Sequence, residues 1–99
     1  MDKIEELAEI FKALSAPTRL KLVKLLGENE GALCVNALAR SLQISQSAVS
    51  QHLRVLRQAG LVKKVRRGSS IHYLIDQDNL KQHRARLREA LGASFVDAL

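Results

Sequence analysis

Apolar and polar positions alternate along this chain in two rhythms. The first returns every three or four residues. Ile4, Leu7, Ala8, Phe11 and Leu14 recur at that spacing and predict an amphipathic helix over Lys3 to Leu14. Pro17 interrupts the pattern and suits the first turn of a second helix, with Ser15 or Ala16 ahead of it. There Leu20, Val23 and Leu26 are expected to face inward, with Leu22 and Leu25 as further candidates, and Gly27 to Gly31 marks the stop. Val35, Leu38, Ala39 and Leu42 make a short third helix. Gln43-Ile44-Ser45 follows as a tight connection without glycine or proline. In the fourth helix Val49, Leu53 and Leu56 form the inward stripe. Ser45 can cap it, its hydroxyl accepting from backbone N–H groups two or three residues on. Gly60 follows the last turn, where a left-handed residue ends a helix at little cost.

After Gly60 the rhythm changes. Two short β-prone runs, Leu61–Arg66 and Ser70–Ile75, flank an Arg-Gly-Ser-Ser loop and predict a β-hairpin. Val62 and Val65 break strict alternation, which leaves the inward face of the hairpin open. A last helix starts at Asp76, capped by Asp76 or Asp78, with a sparse stripe of Leu80, Leu87, Ala90 and Leu91. Gly92 ends it, and a short apolar tail remains. The expected order is four helices, a hairpin and a helix. A short helix, a three-residue turn and a second helix form a helix-turn-helix, and a hairpin directly after it adds a wing. The fold class is mainly α with a small β-hairpin wing, within one domain over residues 1–99.

Charge sharpens this picture. The chain has 99 residues and a formal charge of +6. From Gly31 to Ile75 stand seven basic residues and no Asp or Glu. The first 30 residues carry five basic against six acidic, and the last 24 carry four of each. All the surplus therefore lies in the segment holding the helix-turn-helix and hairpin, as expected of a chain that meets a polyanion. A chain this short buries only about two thirds of its unfolded surface, so association would add stability. Aromatics are only 3% and the core must be aliphatic. Cys34 is the one cysteine, which excludes an intrachain disulfide and fits a reducing compartment. The N-terminus is charged from Asp2 on, and no run approaches the ~20 apolar residues that span a bilayer. A soluble, cytoplasmic protein with no membrane association is expected.

The fourth helix carries the chemistry. Ser47, Ser50, Gln51, Arg54 and Gln58 share one face, opposite Val49, Leu53 and Leu56. Arg pairs with guanine, Gln with adenine, and Ser serves either role in the major groove. A carboxylate there would repel phosphate, and Ser45 to Gly60 contains none. In helix-turn-helix proteins the first residues of the second helix approach the bases. Here those are Gln46, Ser47, Ser50 and Gln51. Lys63, Lys64, Arg66 and Arg67 bracket the hairpin loop, as a wing reaching a minor groove or the backbone would require.

The stretches FKALSAPTRLKLVKLL and LCVNALARSLQISQSAVSQHLRVLRQAGLVKKVRRGSSIHYLI closely resemble the ArsR/SmtB family of repressors, over about residues 5 to 80. The resemblance implies a homodimeric winged-helix repressor that binds a palindromic operator in double-stranded DNA and releases it on a signal. It implies that Ser47, Ser50, Gln51 and Arg54 read DNA and that Arg66, Arg67, Gly68 and Ser69 form the wing tip. It also implies a dimer built from the first and last helices, for which Leu7, Phe11, Leu87, Leu91 and Phe95 are the candidates.

At the sensor positions the chain departs from that family's pattern. Many metal-sensing members carry Cys-x-Cys before the recognition helix, where two thiolates grip a soft metal. Here Cys34 holds the first position and Asn36 replaces the second. Other members place Asp and His ligands on the last helix. Here Asp76, Asp78 and His83 are followed by Arg84, Arg86 and Arg88, which would repel a cation. No metal and no cofactor are expected. Cys34 reads as a small core hydrophobe, with a sensing thiol as the alternative. His52 reads as a half-buried packing or phosphate-contacting residue, His72 as structural and His83 as exposed. An enzyme is not expected, since no triad, carboxylate pair, phosphate loop or complete metal cluster can be assembled. The rival reading is a winged-helix interaction module that binds no DNA. It would prefer an apolar or acidic outer face on the fourth helix, and that face is neither.

Overall fold

A computed structural model describes residues 2–29 and 31–99. Glu30, inside the expected Gly27–Gly31 stop, lies outside the described residues. Helix α1 spans Lys3–Leu14 and α2 spans Pro17–Glu28. The Asp2 carboxylate accepts the Glu5 N–H at 2.8 Å, and Glu5 and Glu6 place negative charge where the helix dipole favours it. Pro17 stands at the start of α2 as expected.

Two details of α2 correct the sequence reading. Leu20 is 52% exposed, while Leu22 and Leu26 are buried. Leu20 sits about 200° around the helix from Leu22, so both cannot enter one core. Gly27 lies within α2, which runs one residue beyond it.

A two-residue strand that the sequence reading missed follows: β1, Leu33–Cys34. Then come α3 (Val35–Leu42), α4 (Gln46–Gln58), β2 (Val62–Arg67), β3 (Ser70–Ile75), α5 (Gln77–Leu91) and α6 (Ala93–Asp97). The expected apolar tail is thus in part a short helix, held to α5 by the ion pair of Arg88 with Asp97. The hairpin is part of a three-stranded antiparallel sheet in the order β1-β3-β2. Leu33 pairs with Tyr73 and Cys34 with His72, while Val62 through Arg67 pairs with Ile75 through Ser70.

Leu22, Leu38, Val49, Leu53, Leu56 and Val62 are the fully buried side chains at the centre. They come from α2, α3, α4 and β2, so one aliphatic core holds the helix-turn-helix against the wing. Each such side chain contributes about 1.5–3 kcal/mol on burial. Val62 faces this core and Val65 is only half-buried, which settles the face left open by the sequence. Helix α5 contributes no fully buried residue.

Candidate nucleic-acid interface

The turn between α3 and α4 is made by Gln43, which adopts left-handed geometry (φ 57°, ψ 43°). The Gln43 and Ile44 amides both donate to the Ala39 carbonyl, closing α3. Ser45 then caps α4, its hydroxyl accepting the Ala48 N–H at 3.0 Å. At the far end Gly60 (φ 73°) is left-handed, and the Leu61 amide returns to the Leu56 carbonyl at 3.0 Å. These local bonds fix the direction in which α4 presents its side chains.

Gln46, Ser47, Ser50, Gln51 and Arg54 are all exposed, while Val49, Leu53 and Leu56 on the opposite side are buried. From Ser50 through Ser47 to Gln51 the outer face spans an arc of about 100°. Among the described residues Ser47, Ser50, Gln51 and Arg54 have no side-chain hydrogen-bond partner to compete with an incoming base edge. Gln46 is different: its Nε2 donates to Asn36 Oδ1 at 3.2 Å, which ties the first turn of α4 to α3. His52 is half-buried, and its Nδ1 stands 3.3 Å from Arg19 Nη1. Arg19 Nε in turn donates to the Ala13 carbonyl at 2.6 Å. The sequence pattern marks Asn36 only as the residue in place of a second cysteine and gives Arg19 no role, because no local pattern signals a partner on another helix.

The wing leaves directly from the end of α4. Lys63, Lys64, Arg66, Arg67, Gly68 and Ser69 are exposed. Arg67 pairs with Ser70, so the loop proper is only Gly68 and Ser69 and the first strand is shifted one residue from the expected Leu61–Arg66. Gly68 has φ 62° at the first of the two turn positions, the pattern that type II′ hairpins require. Lys64 and Arg66 lie on one face of β2, and Lys63 and Arg67 on the other. The wing therefore carries cations on both faces, with no carboxylate from Gly31 to Ile75 to neutralise them.

Cys34 caps α3: its Sγ accepts the Ala37 N–H at 3.4 Å. Its cross-strand partner is His72, whose Nδ1 is buried without a hydrogen-bond partner among the described residues. Among the described residues no three His, Cys, Asp or Glu side chains converge as metal ligands. His83 corrects the sequence reading. It is half-buried rather than exposed, because Nε2 donates to the Ala59 carbonyl at 3.2 Å and Nδ1 accepts from Arg86 Nη1 at 3.3 Å.

The candidates for subunit association divide in two. Phe11, Leu91 and Phe95 are exposed to 51%, 41% and 54%, and Ile4 is exposed as well, whereas Leu87 is half-buried and Leu7 is covered by its own chain. No helix among the described residues is long and apolar enough to cross a membrane.

A short helix, a tight turn, a second helix with an acid-free polar face and a basic hairpin define a winged helix-turn-helix DNA-binding domain. Residues 16–64 match the bacterial regulatory protein, arsR family. The chain is 44% identical over 82 residues to an uncharacterised HTH-type transcriptional regulator of Methanocaldococcus jannaschii, covering 83% of this chain and 91% of that protein. It is 40% identical over 80 residues to the transcriptional repressor SmtB homolog of Synechocystis, covering 81% of this chain but only 59% of that relative. Among solved structures, it resembles the homodimeric winged helix-turn-helix DNA-binding domain of a possible ArsR-family regulator from Mycobacterium bovis. That match has a TM-score of 0.72 at 26% identity and covers 89% of this chain and 80% of the other. The chain belongs to the arsR family. It is a DNA-binding transcriptional regulator and not an enzyme.

Proposed function

We propose that this chain acts as a homodimeric repressor that reads a palindromic operator with α4 and grips the flanking backbone or minor groove with its wing. The observation that carries this reading is the outer face of α4, exposed, polar and free of carboxylates, continuing into a hairpin with four cations. Ser47, Ser50, Gln51 and Arg54 contact base edges, with Gln46 held at the entrance by Asn36. Lys64, Arg66, Arg67, Gly68 and Ser69 form the wing contact. Phe11, Leu91 and Phe95 supply the subunit interface, with Leu87 partly beneath it and Leu7 supporting α1 from below. The named homodimer among its structural relatives supports this assembly. Two copies would place their α4 helices in successive major grooves about 34–36 Å apart, and occupation of that site would block a promoter.

The test is selection of preferred sequences from random DNA by the parent chain, Gln51→Ala and Arg54→Ala. The parent should select an inverted repeat. Each variant should lose about 1–3 kcal/mol of discrimination at its own base position. An unchanged preferred sequence in both variants would remove α4 as the reading helix. Absence of any selected sequence would favour a module that binds protein instead.

A further inference from the structure

Where α1, α2, α4 and α5 meet, the chain holds an open cleft of about 600 Å³. That volume lies within the range of about 300–1,000 Å³ found for small-molecule sites. Ile10, Ala13, Val55 and Ala59 supply apolar lining. Two half-buried guanidiniums also line it, Arg19 from α2 and Arg86 from α5.

Among the described residues neither guanidinium has a carboxylate partner. The ion pairs among the described residues are Lys3–Glu89, Lys24–Glu28 and Arg88–Asp97. Glu6 and Glu9 line the cleft from α1 but are exposed and pair with neither arginine. Each arginine is instead held by neutral acceptors. Arg19 donates to the Ala13 carbonyl and to His52, and Arg86 donates to His83. The Ala59 carbonyl can only accept, so His83 carries its proton on Nε2 and offers Nδ1 to Arg86. An arginine has five N–H donors, so each keeps free donors and its full charge. Partly desolvated charge with no carboxylate bonded to it, beside apolar walls, is the combination that recognises an anion with a hydrophobic body.

We infer that this cleft binds a small amphipathic carboxylate, its anionic end met by the arginines and its aliphatic or aromatic body lying against Ile10, Val55 and Ala59. On α1, Glu6, Glu9 and Ala13 lie about 140–180° around the helix from Ile4 and Phe11, and Ile10 about 100–120°, so a second copy seated on Ile4 and Phe11 meets a different face of the helix. Val55 and Gln58 belong to the last turns of α4, and Ala59 is its C-cap. Occupation therefore bears on the proposed reading helix, a consequence that rests on the DNA reading above, whereas binding itself does not.

The experiment is isothermal titration of the full chain, without DNA, with octanoate and with octanamide and octylamine as neutral and cationic matches. Octanoate is expected to bind, and the two matches about tenfold more weakly, the loss expected for one charge-assisted contact. Arg86→Gln should weaken octanoate by about the same factor. Arg86 is chosen because Arg19 also closes the end of α1, and circular dichroism confirms that the variant folds. Val55→Trp fills the cleft from α4 and should abolish binding. No binding by octanoate, equal binding of octanoate and octanamide, or indifference to both variants would overturn the inference. The random-DNA selection described above, run beside the titration, keeps the readings apart: a parent chain that binds octanoate but selects no DNA overturns the DNA reading and leaves this one standing.

Discussion

Ser45 Oγ accepts the backbone N–H of Ala48 at 3.0 Å, closing the first turn of the helix that presents Ser47, Ser50, Gln51 and Arg54. Without that oxygen a backbone donor at the helix start loses its partner. Ser45→Ala should cost about 1 kcal/mol and Ser45→Gly only a few tenths. Urea midpoints of the three proteins measure this. Equal midpoints for parent and Ala would show that water replaces the cap.

Gln43 and Gly60 flank the same helix in the same left-handed region, one with a Cβ and one without. Opposite signs follow. Gln43→Gly removes a steric cost and should stabilise by up to about 1 kcal/mol. Gly60→Ala should destabilise by about 1–2 kcal/mol or more. Its new Cβ would also meet His83 Nε2 at 3.1 Å and Asn79 Nδ2 at 3.2 Å. Both changes are read from thermal unfolding followed by circular dichroism.

Cys34 caps α3 through sulfur, a weak acceptor. Serine supplies a better one at the same position, so Cys34→Ser should match or exceed the stability of the parent and keep its operator affinity. Gel shifts with and without hydrogen peroxide then assign the thiol. Weakened binding of the oxidised parent beside an unaffected Cys34→Ser would make Cys34 the sensor. Equal behaviour leaves it a capping residue.

Phe11 is half exposed, while Leu7 one turn earlier is buried. Charge at Phe11 disturbs no core, so Phe11→Glu should yield a folded monomer in sedimentation velocity. Its operator affinity should fall well below that of the parent, because the two half-sites are no longer linked. Leu7→Ala should instead cost about 2–5 kcal/mol of stability, the penalty of an emptied core position. A dimeric Phe11→Glu would move the interface elsewhere.

Glu89 ties α5 to α1 through Lys3 at 2.6 Å. The hydrogen bond from Lys3, and then its charge, hold the Glu89 carboxyl below its ordinary 4.5. The folded state thus binds this proton less readily than the unfolded chain. The bridge contributes fully above that ordinary value and is lost as pH falls through the lowered one. Both side chains are exposed, so the effect is small. Glu89→Gln should be slightly less stable than the parent near neutral pH and equal to it in strong acid. A gap independent of pH would mean that the ion pair is not its source.

The helix-turn-helix was legible because its signals are local. Pro17, Ser45 and Gly60 act within a turn of their own position, and Val49, Leu53 and Leu56 repeat within one helix. The outer face of α4 was legible for the same reason, since Ser47, Ser50, Gln51 and Arg54 must lie opposite that stripe. Asn36 and Arg19 were not, because each acts through a residue ten or more positions away.

By itself the sequence determined the rhythm of the helices, the hairpin, the acid-free middle segment and the family to which they belong. These depend on spacing, capping and composition, which a short window of chain already contains. Only the tertiary structure decided that Leu33–Cys34 joins the wing as a third strand, that Leu20 turns outward and that His83 turns inward against Ala59. It alone brought Arg19 and Arg86 to one cleft. Each of these depends on which distant surface is available to bury an apolar side chain or satisfy a polar one, and that is settled only when the helices pack.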